Sequence, residues 1–170
     1  LFIHQLKDGI KQKTEKHGAI IKKDSDGNLY LLRGEFLSYS GSKYYLDGNG
    51  VMATGVFEAR EDDGYYYYFA NNSGEIQQKS DWIHHEGEWY YSKDGKLYAD
   101  GVKTIGGKKY YFMYNATMLS GYLTETYHDG SETHYMTNDS GVIQETNDWV
   151  KYDGAWYFWR DGDILKNVHL

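Results

Sequence analysis

Aromatic pairs recur along this chain at a nearly constant spacing, and that period constrains the fold more than any other feature. The first residues of the pairs, Tyr44, Tyr67, Tyr90, Tyr110, His134 and Tyr157, stand 23, 23, 20, 24 and 23 residues apart. Five steps this even mark an array of repeated supersecondary units, each burying one face against its neighbours. The unit is written most fully from Asp81 to Gly101. It has a strand opening on Trp82, a tight turn at Glu86-Gly87, a return strand Trp89-Tyr90-Tyr91, a second turn at Lys93-Asp94-Gly95, the apolar Leu97 and a closing Gly101. Two aromatic-rich runs joined by a short Gly-containing turn predict a β-hairpin, because Gly accepts the positive φ such turns demand. One hairpin is marginal in water, so stacking on neighbours must supply the stability.

Fainter copies lie on both sides. Ala19 to Lys23 and Leu29 to Leu32, about a turn at Asp26-Gly27, predict an aromatic-poor capping hairpin within residues 19–35. Residues 36–170 then read as a repeat array, with units at Phe36 to Gly55, Val56 to Ser80, Asp81 to Gly101, Val102 to Gly121, Tyr122 to Glu145 and Asp148 to Asn167. Ahead of these, residues 1–18 carry Phe2, Leu6 and Ile10 at four-residue spacing, interrupted by Gly9, and read as a linker or a short helix. The expectation is an all-β chain, a β-hairpin repeat solenoid of about six to seven units of roughly 20–24 residues.

Composition narrows the chemistry. With 19 Tyr and 5 Trp, 20 Gly and no Pro, aromatic bodies must supply most of the buried area. Lys+Arg at 18 against Asp+Glu at 25 gives a net charge of -7, which repels a phosphate backbone; the one locally basic stretch, Lys11 to Lys23, is interleaved with acids, so no nucleic-acid partner is expected. The absence of Cys excludes disulfides, thiolate nucleophiles and Cys-ligated zinc. No apolar run approaches the ~20 residues of a membrane-spanning helix, and no signal h-region is present; the start at Leu1 reads as an excised piece of something larger. His84 and His85 are consecutive and face opposite sides of a strand, and His128 with His134 lack a persuasive ligand set, so neither metal nor cofactor is expected. Asp47 to Asn49 reads as turn chemistry, because Asp and Asn tolerate the αL conformation and bond their own backbone. Catalytic motifs are absent, and Glu58, Glu61, Asp62 and Asp63 read as solvated turn carboxylates rather than the fixed pair a glycoside hydrolase needs. An enzyme is not expected.

Asp81-Trp82 through Trp89-Tyr90-Tyr91, Asp148-Trp149 through Trp156-Tyr157-Phe158, the run Gly50-Val51-Met52-Ala53-Thr54-Gly55 and GVKTIGGKKYYF from Gly101 resemble the bacterial cell-wall-binding and glucan-binding repeats. That family includes choline-binding modules, the C-terminal repeats of glucansucrases and the repeat region of large clostridial toxins. The resemblance runs from about Phe36 to Asn167. It implies a solenoid of hairpins winding as a superhelix, without catalysis, attached to a secreted or cell-surface bacterial protein and binding ligands between successive hairpins. Where the choline-type pattern has a second Trp before the Tyr pair, this chain has Lys43, Tyr66, Lys109 and Thr133; both Trp residues are kept only in the units that open at Asp81 and Asp148.

Those two units supply the candidate ligand-binding residues: Trp82, Trp89 and Tyr91 with Tyr110 and Tyr111 of the following unit, and Trp149, Trp156 and Tyr157. A quaternary ammonium has no donor hydrogens and is held by cation-π attraction, worth up to ~2 kcal/mol per well-desolvated ring. A sugar lays its flat C-H face on the same kind of ring while polar neighbours take its hydroxyls. Three readings remain open on these residues: a module binding a glucan or cell-wall glycan, a module binding choline on teichoic acid, and a protein-interaction or structural stalk whose rings are all core.

Overall fold

The computed structural model describes Ile21–Lys23 and residues 25–165, and every regular element among them is a strand. The all-β, hairpin-repeat class expected from the sequence is the class observed. The expected linker or helix over residues 1–18 lies outside the described residues.

Among the described residues seven sheets follow one another, each built on one antiparallel hairpin. They are β1 (Ile21–Lys23) with β2 (Leu29–Leu31), β3 (Glu35–Tyr39) with β4 (Ser42–Leu46), β5 (Gly55–Glu61) with β6 (Gly64–Ala70), and β7 (Asp81–His85) with β8 (Glu88–Lys93). After these come β10 (Gly101–Ile105) with β11 (Lys108–Phe112), β12 (Tyr122–Thr126) with β13 (Glu132–Met136), and β14 (Asp148–Tyr152) with β15 (Ala155–Arg160). Two sheets gain a short third strand, β9 (Lys96–Leu97) and β16 (Asp163–Ile164). In four others that strand shrinks to one antiparallel bridge, Leu46↔Met52, Ala70↔Ile76, Phe112↔Met118 and Thr137↔Ile143. The apolar residue after the second turn therefore does the same work in these six sheets: it returns the chain onto its own hairpin.

The turns follow from the residues in them. At Glu86-Gly87 both residues take positive φ, 52 and 86°, the left-handed pair whose twist matches that of the flanking strands. A second kind of glycine is fixed by packing as well as by φ. A Cβ on Gly74 (φ +80) would come within 2.3 Å of the sulfur of Met52, and one on Gly141 (φ +74) within 2.2 Å of the Met118 methyl, so the third segment of one repeat seats on a bare backbone in the next.

The pairing register corrects one sequence reading. The third residue of the opening strand faces Tyr44, Tyr68, Tyr110, His134 and Tyr157 in turn, through Leu37↔Tyr44, Phe57↔Tyr68, Lys103↔Tyr110, Thr124↔His134 and Val150↔Tyr157. Tyr68, not Tyr67, thus holds the repeat position in the third hairpin. The strands β5 and β6 are seven residues long against five for most others, and the added length shifts the apparent pair by one.

The chain divides into two compact units, residues 1–81 with 92–97 and residues 82–91 with 98–170. In the first, Leu32, Leu37 and Leu46 form one buried cluster, and Ala59, Tyr68, Ala70 and Ile76 another, flanked by Phe36, Tyr45, Phe57 and Tyr66. In the second, Tyr110, Tyr111, Phe112 and Leu119 are buried, and Met136, Val150 and Trp159 make a further cluster. Successive hairpins are also tied through the backbone. The N–H of Ile76 donates to the carbonyl of Lys43 at 2.8 Å, that of Met118 to Trp89 at 2.7 Å and that of Ile143 to Lys109 at 2.9 Å. Each bond satisfies a strand-edge group that would otherwise stay unpaired.

Candidate ligand-binding site

Four of the expected residues come together in the second unit. Trp82, half-buried on β7, meets Tyr91 of its own hairpin at 5.1 Å between ring centroids, Tyr110 of the next hairpin at 4.8 Å, and Trp89 at 6.3 Å. The planes cross at 71, 67 and 83°, so the rings meet edge to face, the arrangement their quadrupoles favour. Phe112 lies below Trp82 at 6.2 Å. Tyr110 is buried, whereas Trp89 is 44% exposed and packs one side on His84 at 4.8 Å. The cluster thus has a fixed inner wall and one large indole left facing water.

Tyr111 goes elsewhere. Consecutive residues in a strand face opposite sides, so it cannot share the Trp82 wall with Tyr110. Its ring packs on Tyr135 at 4.8 Å and its hydroxyl donates to the carboxylate of Glu125. Burial, then the Glu125 carboxylate, push its phenol well above the usual value, and burial followed by Glu125 brings Tyr135 up to about 12.

The pair Trp149 and Trp156 has fewer neighbours. Trp149 opposes Phe158 across the hairpin, 5.2 Å away at 77°, and remains 43% exposed. Trp156 opposes Lys151, is 63% exposed, and has no ring partner among the described residues. Tyr157 turns inward against the Met136, Val150 and Trp159 cluster.

Two features of the first unit lay beyond the sequence reading. A shallow depression of about 320 Å³ is lined by Ser42, Phe69, Asn71, Glu75, Gln77 and Lys79, which sets one ring edge beside several hydrogen-bonding groups. Its carboxylate is already engaged, since Asn71 Nδ2 donates to Glu75 at 3.1 Å and Ser42 Oγ does so at 3.1 Å, which in that order hold the Glu75 pKa below normal. Glu61 is likewise not the solvated turn residue the sequence suggests: it accepts from the Tyr68 hydroxyl and pairs with Lys96 Nζ at 2.7 Å, while that ammonium rests 3.4 Å from the Tyr66 ring centroid. Length again explains the difference, because the longer β5 and β6 carry Glu61 back over the sheet.

No trio of His, Asp, Glu or Cys among the described residues is placed to hold a metal ion. Asp47 spends its carboxylate on its own turn, accepting the N–H groups of Asn49 and Val51 at 2.8 and 2.9 Å. His134 is bonded at Nδ1 to the hydroxyls of Tyr122 and Thr124, at 2.7 and 2.9 Å. No helix among the described residues is long and apolar enough to cross a membrane.

Residues 34–52 match the family described as a cell wall binding repeat. Glucosyltransferase-S of Streptococcus mutans serotype c is 29% identical over 141 residues, 79% of this chain and 9% of its own length. Glucosyltransferase-I of Streptococcus downei is 30% identical over 131 residues, 74% of this chain and 8% of its own. The chain is built of bacterial cell-wall-binding, or glucan-binding, repeats. It spans less than a tenth of those two relatives. Choline binding protein F of Streptococcus pneumoniae shares the fold of these cell-wall-binding repeats over 96% of this chain and 53% of its own, with a TM-score of 0.57 at 21% identity. The repeat that matches at residues 34–52 is the hairpin β3–β4 with its Met52 bridge, which has Phe36 and Lys43 where the fourth hairpin has Trp82 and Trp89.

Proposed function

We propose that this array is a non-catalytic carbohydrate-binding module that holds a secreted or surface-attached bacterial protein against a glucan or cell-wall glycan. The observation that carries the reading is Trp89, a large ring 44% exposed beside a wall of Trp82 and Tyr110, in a chain whose curated relatives are glucosyltransferases. Leaving an indole in water has a cost of order 1–2 kcal/mol relative to burying it, and a sugar face laid on that ring recovers it. The depression at Ser42, Phe69, Asn71 and Gln77 offers hydroxyl partners of the kind a pyranose needs. Single contacts of this sort are weak, and several on one polymer multiply through effective concentration.

A second reading is favoured by the ring geometry alone. Trp89, Tyr91 and Tyr110 meet Trp82 at 67 to 83°, which resembles the walls of a box for a quaternary ammonium such as choline on a wall polymer. Passage of the chain over immobilised dextran, choline resin and purified cell walls separates the readings. Retention on dextran with release by free glucan supports the carbohydrate reading, and retention on choline resin with release by choline supports the other. Retention on none of the three sinks both and leaves an array whose rings serve as core or as a protein-contact surface.

A further inference from the structure

The second repeat contains a ring cluster built like the one around Trp82, with an ammonium seated on its central ring. We propose that Lys43 is a built-in ligand that closes this cluster to external cations and sugars, and that positions 43 and 89 decide whether a repeat can take a ligand. The ligand-binding part rests on the reading above that the Trp82 cluster is a site.

The two places correspond wall by wall. Phe36 is the second residue of β3 as Trp82 is of β7. Phe36 meets Tyr45 of its own hairpin at 4.9 Å and Tyr68 of the next hairpin edge-on at 5.0 Å and 65°. The matching contacts of Trp82 are Tyr91 at 5.1 Å and Tyr110 at 4.8 Å and 67°. Lys43 and Trp89 each stand two residues before the first of those tyrosines, and their carbonyls accept the same inter-repeat bond, from Ile76 and from Met118. At one backbone position, then, one repeat has an ammonium and the other an indole.

The ammonium sits where a bound cation would. Lys43 Nζ is 3.9 Å from the Phe36 ring centroid and 5.8 Å from that of Tyr68. A tethered cation is present at an effective concentration of order millimolar or above, so a free ligand of similar weak affinity must displace it to reach either ring. A sugar meets the same obstacle, since the Phe36 face it would stack on is covered. The side chain of Trp89 carries no charge and instead adds a wall.

Two measurements on the whole chain decide the matter. By proton NMR, the ε-methylene of Lys43, assigned with Lys43→Arg, is expected upfield of the lysines that have no ring beside them, as is that of Lys96 over Tyr66, because the Lys43 ammonium sits 3.9 Å from the Phe36 ring centroid. An unshifted Lys43 resonance overturns the proposal without reference to any ligand. Calorimetric site counts with choline and with an isomalto-oligosaccharide are then compared across wild type, Lys43→Trp, Lys43→Ala and Trp89→Lys, each checked for native near-UV dichroism. Lys43→Trp is expected to add one site, Lys43→Ala a weaker one, and Trp89→Lys to remove one. Folded Lys43 variants that gain no site while Trp89→Lys loses one overturn the proposal. If no variant binds either probe, the binding reading falls and the methylene shift alone decides whether Lys43 closes the cluster.

Discussion

Trp82 is surrounded by four aromatic rings, Trp89, Tyr91, Tyr110 and Phe112, whereas Trp149, at the same place in its own hairpin, meets only Phe158 among the described residues. The residues within the two repeats are nearly the same. Two of the four rings around Trp82, Tyr110 and Phe112, come from the hairpin that follows it. On the proposed binding reading, a Trp pair in one repeat supplies half of a site and the next repeat completes it. The Phe36 and Lys43 repeat sharpens the point: it has its second half, Tyr68, but not the second indole.

The largest expected effect comes from removing the central ring. Trp82→Ala should cost about 2–3 kcal/mol of stability, toward the low end for a large-to-small change because the side chain is half-buried. Trp149→Ala should cost about 1 kcal/mol, since that ring is 43% exposed and has one ring partner among the described residues. Urea unfolding of the two variants measures the difference, and equal losses would break the comparison.

A smaller effect, more on binding than on folding, is expected at the outer rings. Trp89→Ala should weaken retention on the ligand resin by about tenfold, near 1–2 kcal/mol, while costing about 1 kcal/mol of stability, as for the equally exposed Trp149. Trp156→Ala should leave both nearly unchanged, because a ring that is 63% exposed without described ring partners offers one face and no wall. A loss at Trp156 as large as that at Trp89 would show that a lone platform suffices.

Much of the fold was legible because turn chemistry and period are local properties. Glu86-Gly87 and Asp153-Gly154 announce hairpins through residues that accept positive φ, and the apolar residue after the second turn announces the third segment. The register at Tyr67-Tyr68 was misread because a two-residue extension of β5 and β6 leaves no mark in a run of four tyrosines. At the site, Trp82, Trp89, Tyr91 and Tyr110 could be grouped from their positions in the unit, while the separation of Tyr111 from Tyr110 required only strand alternation. Lys43 stood out as a departure from the pattern, but the direction of a long flexible side chain cannot be read from sequence. Its seat over Phe36 became visible only in three dimensions.

Between the two Trp pairs lies a stretch held by phenols, and alkali tests whether it is stiff. Burial, reinforced by Glu125, raises Tyr111 well above the usual phenol value of 10.0, and burial, again with Glu125, takes Tyr135 to about 12. Both groups favour the neutral form more strongly folded than unfolded. Their stabilisation is full below the unfolded value near 10.0 and is lost as pH rises through the folded values. Thermal midpoints should fall steadily from about pH 10 to 12, with two phenols ionising late in an ultraviolet titration. Glu125→Gln should bring that late phase earlier, and an unchanged titration would mean the phenols are not held by this carboxylate.

A modest effect is expected at Glu61, where the first unit holds a second lysine over a ring. Hydrogen bonds from Lys96 and then from Tyr68 hold the Glu61 carboxyl below the usual carboxylate value, and its hydrogen bond raises Lys96 in turn. A depressed acid stabilises the fold above its unfolded value and ceases to do so as pH falls through the lower, folded one. The midpoint should therefore drop below about pH 4.5, the ordinary glutamate range, by an amount that Glu61→Gln abolishes. Both side chains keep about a third of their surface in water, 37% for Lys96 and 29% for Glu61, so the pair contributes at most about 1 kcal/mol. The Trp89 site should be indifferent to this acid step. If ligand retention at the Trp82 cluster fell together with Glu61 protonation, the first unit would be contributing to the second, and sites could no longer be assigned hairpin by hairpin.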